Sequence, residues 1–168
     1  PLKEIAPEYY SEKFKGQDRR PNIKDLLFEG QKILVQVNKE ERGTKGAALS
    51  TFISLAGCFL VLMPNNPGGG GISRRIEGEE RDELKQVMNS LKVPHGMSII
   101  VRTAGIGKST EELQWDLDVL VKLWDSIKTA SKQHGAPVLI HQESDIAIRA
   151  VRDHLRQNIS EIFVDDEK

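Results

Sequence analysis

The sequence predicts a mixed fold of the α+β or α/β class, in which a β-hairpin region precedes a layer of alternating strands and helices. In the first part of the chain a strand, a turn-rich loop and a second strand follow one another, which is the pattern of a β-hairpin. From Cys58 onward, short apolar runs alternate with amphipathic helical periods, which is typical of an α/β layer. We place the boundary within residues 52–57.

Composition and charge exclude several classes of protein. The 168 residues are 38% hydrophobic and 29% charged, which suffices for a globular core. The formal net charge of −1 argues against an indiscriminate polyanion binder but leaves room for a local phosphate pocket. Cys58 is the single cysteine, which excludes an intrachain disulfide and fits a reducing, cytoplasmic compartment. No apolar run has the length that crosses a bilayer.

Two strands and two loops are expected in the N-terminal region. Residues 33–37 carry apolar side chains at alternate positions, which is a strand period. Residues 47–53 end in β-branched side chains and predict the second strand. The glycine-containing stretch 40–46 and the basic stretch 14–21 predict loops.

The second region alternates further strands with helices. The continuous apolar run 58–63 predicts a strand buried on both faces, and the glycine-rich stretch 64–71 predicts a mobile loop. Apolar residues at helical spacing predict a helix over 79–91. Further strands are predicted at 99–101, 138–140 and 162–164.

Two more helices are predicted from their start signals. Ser109 and Glu112 form a capping box, and it opens a long helix that Gly135 and Pro137 end. One side of this helix is apolar and carries Leu113, Leu117, Leu120, Val121, Trp124 and Ile127. Ser144 can cap a shorter helix that follows.

The strand end at Arg102 and Thr103 is the most informative candidate site. A glycine-rich turn and the capped helix follow it. The stretch 107–110, Gly-Lys-Ser-Thr, suggests a P-loop, but Arg102 stands where that motif needs glycine, so we reject a nucleotide triphosphatase. An arginine fork and a threonine hydroxyl suit phosphate oxygens. The alternative is an exposed Arg-Thr pair, with the glycines serving the turn only.

Other polar residues leave two interpretations open. Arg74 and Arg75 follow the glycine-rich loop and could hold RNA phosphates, as could Arg19–Arg20 and the Arg42/Lys45 loop. Solvated surface charges are the simpler explanation of all three groups. The four histidines lack metal-ligand spacing. His141 near Glu143 could do acid–base chemistry, but a helix-start loop is the simpler explanation. We therefore assign no catalytic and no metal residues.

Five stretches, in order along the chain, closely resemble the ribonuclease E/G family of endoribonucleases. They are Gly43–Leu49, Met63–Pro67, Gly71–Glu77, Val101–Gly105 and Leu139–Ser144. The resemblance covers essentially the whole chain, and two stretches, Asn-Asn-Pro and Ser-Arg-Arg-Ile-Glu, look more like the ribonuclease E subfamily than the shorter ribonuclease G subfamily.

The resemblance implies a partial OB-fold β-barrel followed by a small α/β sensor subdomain. Residues 1–51 would be the second part of an OB-fold RNA-binding barrel, and residues 52–144 the five-prime sensor. Residues 145–168 would begin a resumed ribonuclease H-like domain. A barrel without its first strands leaves sheet edges open. We therefore expect that residues 1–50 are partly disordered, that another chain completes them, or that the sequence is an internal piece of a longer protein.

The resemblance also implies roles for single residues. Arg102 and Thr103 match the positions that bind a monophosphorylated RNA end in that family. Gly57 and Val61 match positions that contact the terminal nucleotide, and Lys45 matches a barrel lysine. We expect Gly57 to leave room for the terminal base.

As a member of that family, the chain would bind single-stranded RNA with a five-prime monophosphate, and not DNA. The longer protein would be a magnesium-dependent endoribonuclease of RNA processing and mRNA decay. Its magnesium and zinc, its homotetramer contacts and an association with the inner face of the cell membrane would all lie outside this chain. The segment itself would need no cofactor and would be inactive alone. The alternative is a structural or interaction fragment with negligible RNA binding of its own.

Overall fold

The computed structural model describes residues 1–12, 14, 21–143, 145–154 and 159–165. Its strands are β1 (Gln36–Lys39), β2 (Ala48–Ser50), β3 (Leu55–Ala56), β4 (Leu60–Met63), β5 (Gly71–Ile72) and β6 (Ser98–Val101). Its α-helices are α1 (Ile23–Leu26), α2 (Gly78–Ser90), α3 (Thr110–Gln133) and α4 (Ile146–His154). Short 3-10 turns cover Leu2–Glu4, Pro7–Tyr9 and Thr103–Gly105. The mixed α+β class that the sequence predicts is confirmed.

The N-terminal sheet is an open hairpin of two antiparallel strands, β1 and β2, with an irregularity between Val37 and Lys39. It is compatible with part of an OB-like fold and is not a closed barrel. Strand β1 begins at Gln36, later than predicted. Leu34 instead packs against the larger cluster of buried apolar residues, which includes Leu60, Val101 and Leu117 and is called the main core. Its N–H donates to the Tyr9 hydroxyl at 3.3 Å. The apolar residues of 33–37 therefore belong partly to a segment that packs against the core and partly to strand β1.

The second sheet has the order β3-β4-β6-β5. Strands β3 and β4 form a hairpin, β4 pairs antiparallel with β6, and β5 pairs parallel with β6. In register, Leu60 lies opposite Val101 and Val61 lies opposite Ile100. The carboxyl end of β6 and the β3–β4 turn therefore meet at one end of the sheet.

Helix α3 covers one face of this sheet, which corrects one prediction. Leu60 and Leu62 are fully buried, whereas Val61 and Met63 are only half-buried. The run 58–63 is therefore not buried on both faces. Its strand also starts only at Leu60, because residues 57–59 form the tip of the hairpin.

The two long helices agree with their sequence signals. The capping box is present, since Ser109 accepts the Glu112 N–H at 3.2 Å and Glu112 accepts the Ser109 N–H at 3.0 Å. The predicted stripe of α3 packs into the main core, and Trp115 lies outside it, 63% exposed. The main core also takes Leu84 and Leu91 from the α2 region.

Two predicted strands, 138–140 and 162–164, are wrong. Both segments lack strand structure, and Leu139 is 74% and Phe163 89% exposed. They have the apolar composition of a strand, but no strand of the described chain pairs with them, so the ladder of backbone hydrogen bonds is missing.

The predicted helix after residue 144 is present as α4. Its first turn is capped by Asp145, whose carboxylate accepts the Ile148 N–H at 3.0 Å. The expected cap Ser144, and the basic pair Arg19–Arg20, lie outside the described residues. In the part of the chain that is described, no helix combines the length and the apolarity needed to cross a membrane.

Candidate functional site

The end of β6 contacts the β3–β4 turn through Arg102. The Arg102 backbone N–H donates to the Phe59 carbonyl at 2.8 Å. The Arg102 guanidinium donates through Nη1 to the carbonyls of Gly57 at 2.5 Å and Cys58 at 3.4 Å. Two predicted site residues, Arg102 and Gly57, are thus in direct contact.

A buried carboxylate that sequence reasoning missed holds this turn. Asp116 of α3 is only 3% exposed. Its oxygens accept the backbone N–H groups of Cys58 at 3.0 Å, Phe59 at 2.9 Å and Leu60 at 2.9 Å. Three such bonds to a charged acceptor satisfy donors that the hairpin tip would otherwise leave unpaired.

The sequence contains a signal for Asp116. It stands three positions after Leu113 and four before Leu120, within the helical period that faces the core. A charged residue on a buried stripe is expected to have hydrogen-bond partners there. An acid at this place therefore predicts a cluster of donors on the element packed against α3.

Asp116 also explains why position 57 is glycine. A Cβ atom on Gly57 would lie 2.6 Å from Asp116 Oδ2 and 2.7 Å from Oδ1. Real Cβ atoms do not approach so closely, so any side chain at this position would displace the carboxylate. Close packing is thus one reason for the glycine, and room for a terminal base stays a prediction.

Val61 lies on the sheet face that α3 leaves uncovered. It is half-buried and pairs with Ala56 on one side and Ile100 on the other. Arg102 follows Ile100 by two positions, and strand side chains alternate between faces. Val61 and Arg102 therefore belong to the same side of the sheet.

Thr103 opens the 3-10 turn directly after Arg102. Its side chain is exposed, and its hydroxyl makes no hydrogen bond to another described residue. The turn stays tight because Gly105 packs against β6, where a Cβ would meet Val101 Cγ1 at 2.8 Å. Thr103 thus supplies a hydroxyl without a hydrogen-bond partner in the described part of the chain, one position after Arg102.

A second acid, Asp153 of α4, binds Arg102. Asp153 Oδ1 lies 2.9 Å from Arg102 Nη1, and both side chains are 26% exposed. Hydrogen bonds from Arg102 and then Arg152 hold the pKa of the Asp153 carboxyl well below its usual value. Sequence reasoning missed this residue, since 50 positions separate the partners and only the placement of α4 joins them.

The guanidinium of Arg102 keeps one edge available. Its contacts all use Nη1, and Nε and Nη2 have no hydrogen-bond partner within the described part of the chain. Guanidinium N–H groups on one edge match two oxygens of a phosphate or carboxylate. The geometry therefore allows bidentate binding of an anion at this edge of Arg102.

Lys108 adds a positive charge at the hairpin tip. Its ammonium lies 5.0 Å from the centre of the Phe59 ring and 3.0 Å from Glu112 Oε1. The Cys58 thiol lies at the same hairpin tip. Burial first, and the charge of Asp116 second, raise its pKa, and a protonated thiol is a poor nucleophile.

The remaining predicted RNA-binding residues are only partly brought near this site. The Ser73 N–H donates to the Val101 carbonyl at 2.8 Å. The exposed turn of Arg74 and Arg75 therefore begins beside the strand end that carries Arg102. Lys45 lies in an exposed turn of the other sheet, paired through its backbone with Arg42.

Arg81 of α2 shapes the turn that carries Arg74 and Arg75. Its Nη1 donates to the carbonyls of Ser73 at 3.1 Å and Ile76 at 3.2 Å. The turn that Arg81 holds leaves the side chains of Arg74 and Arg75 exposed to solvent.

Among the described residues, no group of three or more His, Cys, Asp or Glu side chains is placed to hold a metal ion.

The family model and the individual relatives that match this chain all belong to one group of ribonucleases. The family model described as "Ribonuclease E/G family" matches residues 54–168. Over 168 residues, all of this chain, the sequence is 64% identical to ribonuclease E of Haemophilus influenzae and 61% identical to ribonuclease E of Escherichia coli. These alignments cover 18% and 16% of the two relatives, so the chain spans less than a fifth of their length.

A more distant relative tests the subfamily resemblance. Ribonuclease G of Haemophilus influenzae is 38% identical over 159 residues, which are 94% of this chain and 32% of that protein. The higher identity to the ribonuclease E sequences of Haemophilus influenzae and Escherichia coli agrees with the preference that the Asn-Asn-Pro and Ser-Arg-Arg-Ile-Glu stretches indicate.

Proposed function

The chain belongs to the ribonuclease E/G family, and from this premise we propose that it is the RNA-binding, five-prime-monophosphate-sensing segment of a bacterial endoribonuclease. The longer protein would cleave single-stranded RNA in RNA processing and mRNA decay. The observation that carries the proposal is the Nε/Nη2 edge of Arg102, which has no hydrogen-bond partner among the described residues, together with the Thr103 hydroxyl, equally without a partner there, at the next position of the chain. Relatives that carry the name ribonuclease E support RNA as the ligand.

The site would read the end group of the RNA. A monophosphate is small enough to accept two hydrogen bonds from Arg102 and one from Thr103. A triphosphate brings more bulk and more charge than these few donors can pair, and unpaired charge disfavours binding. The half-buried Val61 and Ile100 offer apolar surface on the same side of the sheet, where the first nucleotide would lie.

Arg74 and Arg75 would hold the phosphates that follow the first nucleotide. Their turn begins beside the end of β6, and exposed arginines contribute electrostatic affinity without sequence preference. Lys45 would contribute in the same way from the N-terminal sheet, as part of an OB-fold RNA-binding surface.

Catalysis would belong to the longer protein. There a magnesium ion would activate water for attack on the phosphodiester, and zinc would link subunits of a homotetramer in the cytoplasm, at the inner face of the cell membrane. We propose that residues outside these 168 supply both metals. The segment itself would act without a cofactor.

Replacing Arg102 by Gln tests the end-sensing proposal. We expect at least about a tenfold loss of affinity for a short labelled single-stranded RNA with a five-prime monophosphate, the size expected for one lost charge-assisted contact. Affinity for the same RNA with a five-prime hydroxyl should stay unchanged. Fluorescence anisotropy of the 168-residue chain measures both.

Arg149→Gln is the matched control, because it removes the same charge from an exposed arginine whose carboxylate partner lies 4.0 Å away. It should affect both RNAs alike or neither. Equal losses for the two RNAs with Arg102→Gln would contradict end sensing. Absence of RNA binding by the wild-type chain would favour a structural fragment instead.

A further inference from the structure

We propose that Asp153 is a positioning residue of the phosphate site, which anchors one nitrogen of Arg102 so that the opposite edge of the guanidinium is held ready for the RNA end. This inference rests on the proposed function, since it concerns how the same site is built. Asp153 would not touch the RNA itself.

The first argument is which nitrogen Asp153 uses. Arg102 Nη1 donates to Asp153 Oδ1 at 2.9 Å and to the Gly57 carbonyl at 2.5 Å, with the Cys58 carbonyl further away at 3.4 Å. The guanidinium is planar and rigid. Fixing Nη1 therefore also fixes the direction of Nε and Nη2, which have no partner among the described residues.

The second argument is that Asp153 is itself immobilised. Arg152 Nε donates to Asp153 Oδ1 at 2.9 Å. The Nη1 of Arg152 donates to the Ala56 carbonyl at 3.2 Å and to Glu143 Oε1 at 2.9 Å. The carboxylate is thus tied to the edge of the same hairpin whose turn receives Arg102.

The third argument is energetic. A free arginine loses side-chain freedom when it binds a phosphate, and an anchored one has lost it already. The Asp153 charge opposes an incoming phosphate, but Arg152 lies against this carboxylate and offsets that repulsion. A carboxylate that merely blocked Arg102 would be expected to take the two-nitrogen edge, which gives the stronger bidentate pair. Asp153 leaves that edge open.

The experiment compares Asp153→Asn, Asp153→Glu, Arg102→Gln and the double variant Arg102→Gln/Asp153→Asn. The probes are one labelled single-stranded RNA with a five-prime monophosphate and the same RNA with a five-prime hydroxyl. Asp153→Asn should weaken monophosphate binding about 3- to 10-fold, the net contribution of one ordinary hydrogen bond, because Asp153 acts on the phosphate only through Arg102, and it should leave hydroxyl binding unchanged. Asp153→Glu should restore part of the loss.

The double variant separates positioning from a general structural effect. If Asp153 acts only through Arg102, the double variant should bind the monophosphate RNA no more weakly than Arg102→Gln alone. Asp125→Asn is the matched control, since it removes the same charge from an exposed ion pair on α3 and should change neither affinity.

A measurement on the wild-type chain needs no variant of Asp153. Adding the monophosphate RNA should shift the nitrogen resonance of Arg102 Nε, identified by its loss in Arg102→Gln, while the carboxyl carbon resonance of Asp153 stays in place. A large carboxyl shift would mean that the RNA displaces Asp153 and would overturn the proposal.

The remaining outcomes are equally decisive. Tighter or unchanged monophosphate binding by Asp153→Asn would overturn the positioning role, and so would equal losses for both RNAs or additive losses in the double variant. If Arg102→Gln leaves the end preference intact, the proposed function fails as well. If Arg102→Gln removes it and Asp153→Asn does not, only the role of Asp153 fails.

Discussion

A single buried carboxylate fixes the backbone of the hairpin tip and leaves no room for a side chain at position 57. Asp116 accepts three backbone N–H groups of the 58–60 segment and lies where a side chain on Gly57 would have to go. The turn thereby presents the Gly57 carbonyl to Arg102. The glycine, the acid and the arginine therefore form one unit, although they come from three different elements.

Gly57→Ala should destabilise the chain and weaken the site together. The added methyl would lie 2.6 Å from Asp116 Oδ2, and overpacking of this kind costs about 1–3 kcal/mol. Urea unfolding monitored by circular dichroism measures the loss. Gly46→Ala is the control, since its Cβ would meet nothing within 4 Å. Equal stability of the two variants would contradict the packing argument.

The sequence predicts part of this site and not the rest, for a physical reason. Arg102 and Thr103 can be found because a strand end, a glycine turn and a helix cap are local patterns. Asp116 could have been found from its place on the apolar stripe. Asp153 could not, because its pairing depends on where α4 lies against the sheet, and no local pattern encodes that placement.

At the scale of elements, helices are the best predicted parts of the chain. The apolar spacing and the capping box of α3 are properties of neighbouring residues, and both are observed. A strand also needs a partner. The apolar segments 138–140 and 162–164 have the composition of strands but lack one in the described chain. Composition alone could not show this.

Ser109→Ala tests the start of α3. Loss of the side chain leaves the Glu112 N–H, now bonded at 3.2 Å, without its partner, and such a cap contributes about 0.5–2 kcal/mol. The free energy of unfolding should fall by that amount. Ser126→Ala, an exposed position inside the same helix, should change it much less. Equal effects would show that the cap contributes nothing specific.

The anchoring of α4 should depend on pH. The folded-state pKa of Asp153 lies below its ordinary value of 3.8, so its ion pairs contribute stability above about pH 4, and this contribution falls as the pH drops toward the folded-state pKa. Acidification from pH 5 should therefore loosen α4. This would be seen as smaller protection factors against amide hydrogen exchange in residues 149–153. Asp153→Asn should lack this acid-dependent step. An identical step in both proteins would contradict the assignment.

At the scale of the whole molecule, the described residues form two separate clusters of buried apolar side chains. The smaller cluster contains Ile5, Phe14 and Leu26, and the larger lies between the second sheet and α3. Hydrogen bonds connect segments next to the two clusters, since Thr51 donates its N–H to the Glu4 carbonyl at 2.9 Å and accepts the Ala6 N–H at 2.6 Å. The assignment of these parts to a barrel and a sensor stays a prediction.

The contact between Arg102 and Asp153 joins an end of the sheet to a helix that comes about 50 residues later in the chain. Any ligand that prefers the anchored arginine must, by thermodynamic reciprocity, favour the docked helix by the same factor. Under the proposed function, the state of an RNA end would then be transmitted to α4.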